Sequence, residues 1–347
     1  MQDRGGDLTC CARCGGPGTA ARIADRRRYK AAVFSSPYPG LTLWPGAADP
    51  AARTEGLGTS APFPAVVTGT ATDVSPHVLV VANAGGEQRF SLPTGAVAWR
   101  GKLVPPTVIR AGDQLTVRIP AGRRDVADKI WVGIGRVTGT IVERHGDSLL
   151  VDEGATKPPQ AVVISPGASS RIQVRFPRLE PGHLVDVIGL RQGATLEALL
   201  PATSQPTYRA DRMPRLSPVT GLTYGSISGS ATWHEPTGLA PAEGVAYPAI
   251  DPASGCAEAA ASSGPGCASL PYLAVGSMLL VRNECTGRSR LLPVTGCGAV
   301  ARLFSDRCLT CGTSPRGRVA DLTLASFVGL GGDLERGCFN AAIAIGA

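Results

Sequence analysis

The sequence lacks any long hydrophobic run, and it has few aromatic, charged and histidine residues. No apolar stretch approaches the roughly 18 residues of a membrane-spanning helix, so no membrane span is predicted. Aromatic residues make up only 5% of the chain, too few for the stacking grooves that bind single-stranded nucleic acid. Nucleic acid is therefore not an expected partner. The four histidines, His77, His145, His183 and His234, are scattered along the chain, so no metal cluster is predicted.

Turn-forming residues are abundant. The 347 residues include 44 Gly and 29 Pro, without the three-residue period of collagen. Hydrophobic residues reach 43%, enough for a packed core. Short β-branched segments with period two, broken by Gly, Pro and Asn, predict an all-β protein rather than a helical bundle. The formal charge of +7 permits an anionic partner such as a cell-wall polymer.

Ten cysteines fall into two groups separated by a long cysteine-free stretch. An even total in a Gly-rich chain predicts disulfides and an oxidising compartment, hence a secreted or cell-surface protein. Because three cysteines lie near the start and seven near the end, complete pairing requires at least one bridge between the groups. The cysteines predicted to form disulfides are Cys10, Cys11, Cys14, Cys256, Cys267, Cys285, Cys297, Cys308, Cys311 and Cys338.

Zinc is the competing interpretation of these cysteines, followed by a redox dithiol. Cys11 to Cys14 and Cys308 to Cys311 both have CxxC spacing, which is half of a four-thiolate zinc site. The half-sites are far apart in sequence, so neither a metal nor a cofactor is predicted. Residues 1–30 contain no apolar signal segment, so the extracellular prediction assumes a removed leader or unconventional export.

An internal repeat has an offset of 70 residues. The sequence Val-Thr-Gly-Thr occurs at 67–70 and again at 137–140, and Gly112 corresponds to Gly182. Small closed barrels remove exposed sheet edges. The repeat therefore predicts two duplicated OB-like barrels, at 61–134 and 135–205, that act first as spacers or packing modules. We expect their aromatic residues to pack in cores or hinges; these are Phe90, Trp99, Trp131 and Phe176.

The flanking regions complete the predicted organisation. Residues 1–60 form an irregular Gly/Pro/Arg-rich arm that carries Cys10, Cys11 and Cys14 and a basic run at 26–30. Such a run usually forms a solvated face. Residues 206–218 are a predicted linker, and residues 219–347 form a third domain.

The third domain contains a characteristic order of motifs. The turn sequence Thr-Gly-Arg-Ser at 286–289 precedes Asp-Arg-Cys-x-x-Cys at 306–311 and Ala-Asp-Leu-Thr-x-x-Ser-Phe at 320–327. Leu-Gly-Gly follows at 330–332. In these motifs the domain resembles the double-psi β-barrel of expansins, barwin-like proteins and rare lipoprotein A. The resemblance covers about a third of the chain.

This resemblance implies a shallow polysaccharide-binding groove and, in some members, glycan cleavage by an acid group. Asp306 and Asp321 stand at the family's two aspartates and are the candidate catalytic residues. Trp233, His234 and Arg307 are the candidate glycan-binding residues. The alternatives are structural: an ion pair or a turn position for Asp306, a helix cap or an acceptor of backbone N–H bonds for Asp321, a core position for Trp233 and a surface pair for His234.

Departures from the family pattern argue against catalysis. No histidine precedes the Leu-Pro at 270–271, where Cys267 lies nearby, and Glu243 is a poor match for the family's glutamate. Val319 stands where expansins carry a histidine. Residues 291–299 read as an insertion that covers the cleft.

The predicted function is therefore a secreted or cell-surface, non-catalytic protein that binds cell-wall polysaccharide or another glycan. One alternative is a structural subunit of an extracellular assembly or filament that self-assembles through the N-terminal arm. The other is a polysaccharide- or peptidoglycan-cleaving enzyme, similar to lytic transglycosylases, that uses Asp306 with Asp321.

Overall fold

The computed structural model shows a predominantly β protein, as the sequence predicts. Its three β units lie within residues 65–132, 134–201 and 226–345. No helix in this part of the chain is long and apolar enough to cross a membrane. The structure describes residues 62–154, 157–205, 207, 209–212, 226–235, 243–250, 270, 273–298, 301, 304–306 and 316–345.

The first unit is a seven-stranded sheet with the strand order β3-β2-β1-β6-β7-β4-β5. A short 3-10 helix, η1 (Pro106–Val108), precedes β6. The strands are β1 (Ala65–Val74), β2 (Val78–Asn83), β3 (Gly86–Ser91), β4 (Val97–Trp99), β5 (Leu103–Val104), β6 (Gln114–Ile119) and β7 (Lys129–Val132).

The second unit is a closed five-stranded barrel with the order β10-β12-β11-β8-β9. A 3-10 turn, η2 (Pro166–Ala168), and a seven-residue helix, α1 (Ser169–Arg175), connect β10 to β11. The strands are β8 (Ile134–His145), β9 (Ser148–Asp152), β10 (Gln160–Ile164), β11 (Leu184–Gln192) and β12 (Thr195–Pro201). Another 3-10 turn, η3 (Ala210–Arg212), follows this barrel.

The first two units pair their strands in the same register, at the offset of 70 seen in the sequence. Val67 lies opposite Val117 in the first unit, and Val137 lies opposite Val187 in the second. The order β3-β2-β1-β6-β7 in one unit corresponds to β10-β9-β8-β11-β12 in the other. The sequence repeat is thus accompanied by a repeat of strand pairing.

A steric requirement explains the glycine of the repeated Val-Thr-Gly-Thr. A Cβ atom on Gly69 would lie 2.3 Å from the carbonyl oxygen of Ala82, and one on Gly139 would lie 2.0 Å from that of Asp152. Both distances are far below van der Waals contact, so a side chain at either position would push neighbouring strands apart.

The third unit contains a closed ring of six strands, because β13 also pairs with β18. The ring order is β13-β19-β15-β16-β14-β18, and β17 pairs with β18 outside it. The ring includes two parallel pairs, β13 with β18 and β14 with β16. The elements are β13 (Ser226–Trp233), β14 (Val245–Tyr247), β15 (Met278–Asn283), β16 (Ser289–Cys297), β17 (Ser305–Asp306), β18 (Arg316–Leu322), α2 (Leu324–Gly329), η4 (Leu334–Arg336) and β19 (Cys338–Ile345).

The interpretation of residues 291–299 as a covering insertion is wrong for most of that segment. Residues 291–297 belong to β16, which is a member of the six-stranded ring. Leu292 and Val294 are buried in the core. Alternate residues of this strand contribute to the barrel interior, so the segment is part of the wall and not a lid over it.

One hydrophobic cluster joins all three units. Trp99 and Trp131 from the first unit and Ile188 from the second pack in the same buried cluster as the interior of the third. Phe90 and Phe176 are buried in the separate cores of the first and second units. The prediction that these rings serve core and hinge packing is confirmed.

Candidate functional site

Asp321 lies on β18 between two neighbouring strands of the six-stranded ring. Its strand partners are Thr232 on β13 and Ala246 on β14. The hydroxyl of Thr232 donates a hydrogen bond of 2.8 Å to a carboxylate oxygen of Asp321. Asp321 is partly exposed, whereas Thr232 is buried. The carboxylate is thus held from one side and retains acceptor capacity for a ligand hydroxyl.

The strand register gives the backbone position of Asp306. It lies on β17 opposite Arg316, five residues before Asp321 along β18. Five residues of extended strand span about 16 Å, more than the roughly 5 to 9.5 Å between the carboxyl groups of glycosidases. The side chain of Asp306 and all of Arg307 lie outside the described residues. Their roles in catalysis and glycan binding stay predictions.

The interpretation of Asp321 as a helix cap is wrong. Helix α2 begins after Thr323, whose hydroxyl oxygen accepts a hydrogen bond of 3.4 Å from the backbone N–H of Ser326. This is the usual arrangement for an N-cap threonine, which satisfies one of the unpaired donors of the first turn. Asp321 is therefore not occupied with the helix end.

The proposed role of Trp233 as a sugar-stacking platform is wrong. The side chain is only 1% exposed, and its Nε1–H donates a hydrogen bond of 2.9 Å to the carbonyl of Leu334. The guanidinium of Arg136 lies over the ring at 5.7 Å from its centroid. A ring covered in this way offers no face to a sugar, so Trp233 is a core residue.

His234 and Glu235 do not form the predicted surface pair. Nδ1 of His234 lies 3.0 Å from the backbone carbonyl of Glu235, while Nε2 is buried with no hydrogen-bond partner in the described part of the chain. The Glu235 carboxylate is bound by Arg191 at 2.7 Å. Glu243, the poor match for the family's glutamate, forms an ion pair of 2.6 Å with Arg290.

Three of the ten cysteines fall in the described residues. Cys285 and Cys297 are disulfide-bonded. Cys338 is a buried thiol at the start of β19, so the predicted disulfide is wrong for this residue. The other seven lie outside the described residues. Their pairing and the zinc alternative stay predictions.

A buried ionic network joins the second and third units. The carboxylate of Asp186 on β11 accepts hydrogen bonds of 2.7 Å from Arg136 on β8 and from Arg318 on β18. The Nε–H of Arg136 donates a further bond of 2.8 Å to the other carboxylate oxygen, and Thr203 donates one of 2.9 Å. Arg136 also donates to the carbonyl of Trp233 at 3.0 Å. Each buried charge therefore has an opposite charge and hydrogen-bond partners, which burial of an ion requires.

Our sequence interpretation missed this network, although a local signal was present. Asp186 stands among apolar residues in β11, and Arg136 is the one charged residue in the first nine residues of β8. Charged residues are almost never fully buried unless they are paired. Two such residues of opposite charge therefore indicate a buried ion pair. Arg318 carries a weaker signal because its β18 also contains Arg316 and Asp321.

The network makes the free energy of unfolding depend on pH. Burial alone would raise the pKa of Asp186, but the guanidiniums of Arg136 and Arg318 outweigh burial and hold this pKa well below its usual range. Because the folded pKa is below the unfolded value of about 3.9, the contribution to stability is present above that value. It is lost as the pH falls toward the folded pKa.

We expect the difference in free energy of unfolding between the wild type and Asp186→Asn to narrow from about pH 6 to about pH 3. Urea denaturation at the two pH values measures this difference. A gap that stays constant or widens in acid would contradict the assignment of a depressed pKa to this carboxyl group.

An open cleft lies where the first unit meets the other two, with a volume of about 780 Å³. Its floor is the outer face of β1 and β6, and Leu324 at the start of α2 contributes to its wall. The volume is within the range of about 300 to 1,000 Å³ that is usual for ligand pockets. The polar side chains that line it are Thr68, Thr70, Asn83, Gln88, Gln114, Thr116, Arg191 and Glu235.

Glu235 is fixed at the end of this cleft by the unpaired edge of β8. Pairing of β8 with β9 begins at Thr140, so among the described residues the N–H groups before it have no strand partner on that side. The backbone N–H of Arg136 donates to Glu235 at 2.6 Å, and that of Thr138 donates to Glu153 at 3.2 Å. The two carboxylates thus replace the missing strand as acceptors.

No family model and no curated protein matches this chain.

Proposed function

We propose that this is a non-catalytic, extracellular or cell-surface protein that binds a glycan of the cell envelope through its third unit. The observation that supports this function is the Thr232–Asp321 pair on the wall of the six-stranded ring. A partly exposed carboxylate with one fixed hydroxyl donor suits the recognition of sugar hydroxyls, because each remaining oxygen lone pair accepts a further hydrogen bond.

We further propose the finer folds that the sequence predicts. The closed six-stranded ring with two parallel pairs is compatible with a double-psi barrel. The shared register of the first two units supports their origin as duplicated OB-like barrels. These assignments connect the protein with expansin-like and rare lipoprotein A-like domains, whose groove is a polysaccharide site.

The absence of catalysis is part of the proposal. A glycosidase needs two carboxyl groups at a defined separation. Asp306 pairs with Arg316, and Asp321 follows Arg316 by five residues along β18, so the backbone positions of the two aspartates are far apart. The one hydrogen-bond donor to Asp321 among the described residues is a neutral hydroxyl. We therefore expect retention of the polysaccharide without release of soluble fragments.

We expect Asp321→Ala to weaken binding to insoluble cell-wall polysaccharide by roughly 10- to 100-fold, which corresponds to one lost hydrogen bond to a charged group. Depletion of the protein from solution by increasing amounts of polysaccharide measures the affinity. Reducing-end and fragment assays on the supernatant are expected to detect no product.

Asp147→Ala is the matched control, because Asp147 is an exposed carboxylate in the β8–β9 hairpin. It should bind like the wild type. Equal affinity of the Asp321→Ala and Asp147→Ala variants would remove Asp321 from the site. Soluble fragments that disappear in an Asp306→Ala variant would instead establish the enzyme. A wild type that binds no polysaccharide but elutes as a large assembly would favour the structural-subunit alternative.

A further inference from the structure

We infer that the cleft between the three units is a second carbohydrate site, one that takes a neutral oligosaccharide. The inference deepens the proposed function and rests on it, since it names a substrate class and a place outside the third unit's ring. It is carried by the shape of the cleft, by its lining of neutral hydrogen-bonding groups and by a comparison of the two repeated units.

The floor of the cleft presents hydroxyl and amide side chains on adjacent strands. Thr68 and Thr70 project from β1, and Thr70 accepts a hydrogen bond of 2.8 Å from the amide of Gln114 on β6. Gln114, Gln88 and Thr68 are exposed. Hydroxyl and amide groups both donate and accept hydrogen bonds, so together they match the mixed donors and acceptors of a polyhydroxylated ligand.

The charges in the cleft are already neutralised. Among the residues that line it, Arg191 and Glu235 are the charged ones, and they form an ion pair of 2.7 Å. An anionic polymer therefore finds no unpaired cation among the lining residues, despite the net positive charge of the chain. Val66, Ile134 and Leu324 provide apolar wall surface, which suits the C–H faces of a neutral sugar.

The second unit shows what the same face does when it binds protein. At the offset of 70, Val66 corresponds to Arg136 and Thr116 corresponds to Asp186. In the second unit these two positions carry the charges that engage Arg318 of the third unit. The first unit has an aliphatic and a hydroxyl side chain there instead. The charges of the first unit that contact the third unit lie further along the face, where Arg118 and Lys129 pair with Asp333 at 3.5 and 2.7 Å. The part of the face at positions 66 and 116 therefore lacks the charges that dock a protein barrel at the matching positions of the second unit.

An extended peptide would reach only a small part of this floor. Peptide docking onto a sheet generally adds a strand to an exposed edge. β6 is paired with β1 and β7, and β1 is paired with β6 along residues 65–70 and with β2 from Thr70 onward, so the strand edge left open on β1 is limited to residues 65–69. The hydroxyl and amide side chains extend further, over β1, β3 and β6, which favours a ligand bound through hydroxyl groups.

The test is calorimetric titration of the full chain with neutral cellohexaose, xylohexaose and mannohexaose, and with acidic hexagalacturonate as comparator. For the neutral hexasaccharide that binds, we expect the double variant Thr68→Val with Gln114→Ala to lose roughly 10- to 30-fold in affinity. This is the cost of two neutral hydrogen bonds of about 1 kcal/mol each. A bulky Thr70→Trp variant should abolish binding by filling the cleft.

The matched control is the double variant Thr107→Val with Gln192→Ala, which changes two exposed residues outside the cleft. This control should bind the saccharide like the wild type. Its melting temperature should equal that of the cleft variants. If the neutral ligand binds equally well to the cleft variants but not to Asp321→Ala, the cleft inference is overturned and the proposed function stands. Binding of hexagalacturonate alone also overturns the inference. If the wild type binds no saccharide, soluble or insoluble, both fall.

Discussion

Replacing Asp186 by alanine should destabilise the protein by about 3–5 kcal/mol, the cost of breaking a buried ion pair by removing one partner. In the wild type the guanidiniums of Arg136 and Arg318 each lie 2.7 Å from the Asp186 carboxylate. The variant removes this shared carboxylate and leaves the two positive charges facing each other. Both side chains are buried, so water cannot replace the lost acceptor without opening the contact between the second and third units. Urea denaturation followed by far-ultraviolet circular dichroism measures the loss.

The control for this variant is Asp73→Ala. Asp73 is exposed on β1, and removal of an exposed carboxylate away from special features changes stability by less than about 0.5 kcal/mol. We also expect the wild type to unfold in one transition, because the network and the shared hydrophobic cluster couple the units. If Asp186→Ala unfolded at the same urea concentration as Asp73→Ala, the network would not stabilise the fold.

Replacing Trp233 by alanine should cost about 3–5 kcal/mol, which is typical for a large aromatic residue removed from a core. The change leaves a cavity beside Arg136 and removes the donor that satisfies the carbonyl of Leu334. Trp233→Phe should cost less, since the phenyl ring fills much of the space and mainly the hydrogen bond is lost. Thermal and chemical denaturation of the two variants provide the comparison.

The same pair of variants separates a core role from a sugar-binding role. Folded Trp233→Phe should retain the polysaccharide affinity of the wild type, because the ring is only 1% exposed and Arg136 lies over it. A Trp233→Phe protein with unchanged stability but strongly reduced polysaccharide binding would restore the interpretation of Trp233 as a platform.

Much of the architecture was predictable because its causes are local or repetitive. Period-two patterns predict strands, and the repeated Val-Thr-Gly-Thr is required by the close approach of the next strand to Gly69 and Gly139. Helix α1 was not predicted, since its seven residues include Ile172 and Val174 and are too few to show a helical period. The segment 291–297 was misread as an insertion for a similar reason: a family pattern indicates that residues are extra, not that they form a strand.

The site was less predictable because its parts are distant in sequence. Thr232 meets Asp321 only after the ring closes, and Arg318 reaches Asp186 across 132 residues of chain. A tryptophan at the end of a strand looks the same in the sequence whether its ring faces solvent or, as Trp233 does, packs under Arg136. The sequence identifies which residues are chemically unusual, whereas the packing of one barrel on another decides which of them are covered.

The two copies of the outer sheet face carry different evolutionary constraints. In the second copy, Asp186 forms buried ion pairs with both Arg136 and Arg318. A substitution at one of these three residues therefore requires compensating changes at the others. In the first copy, the exposed Thr68 can be exchanged without breaking a contact to a neighbouring barrel, whereas Val66 packs against the cluster shared by all three units. New ligand preferences should therefore arise by drift in the open copy, while the enclosed copy preserves the scaffold that holds it in place.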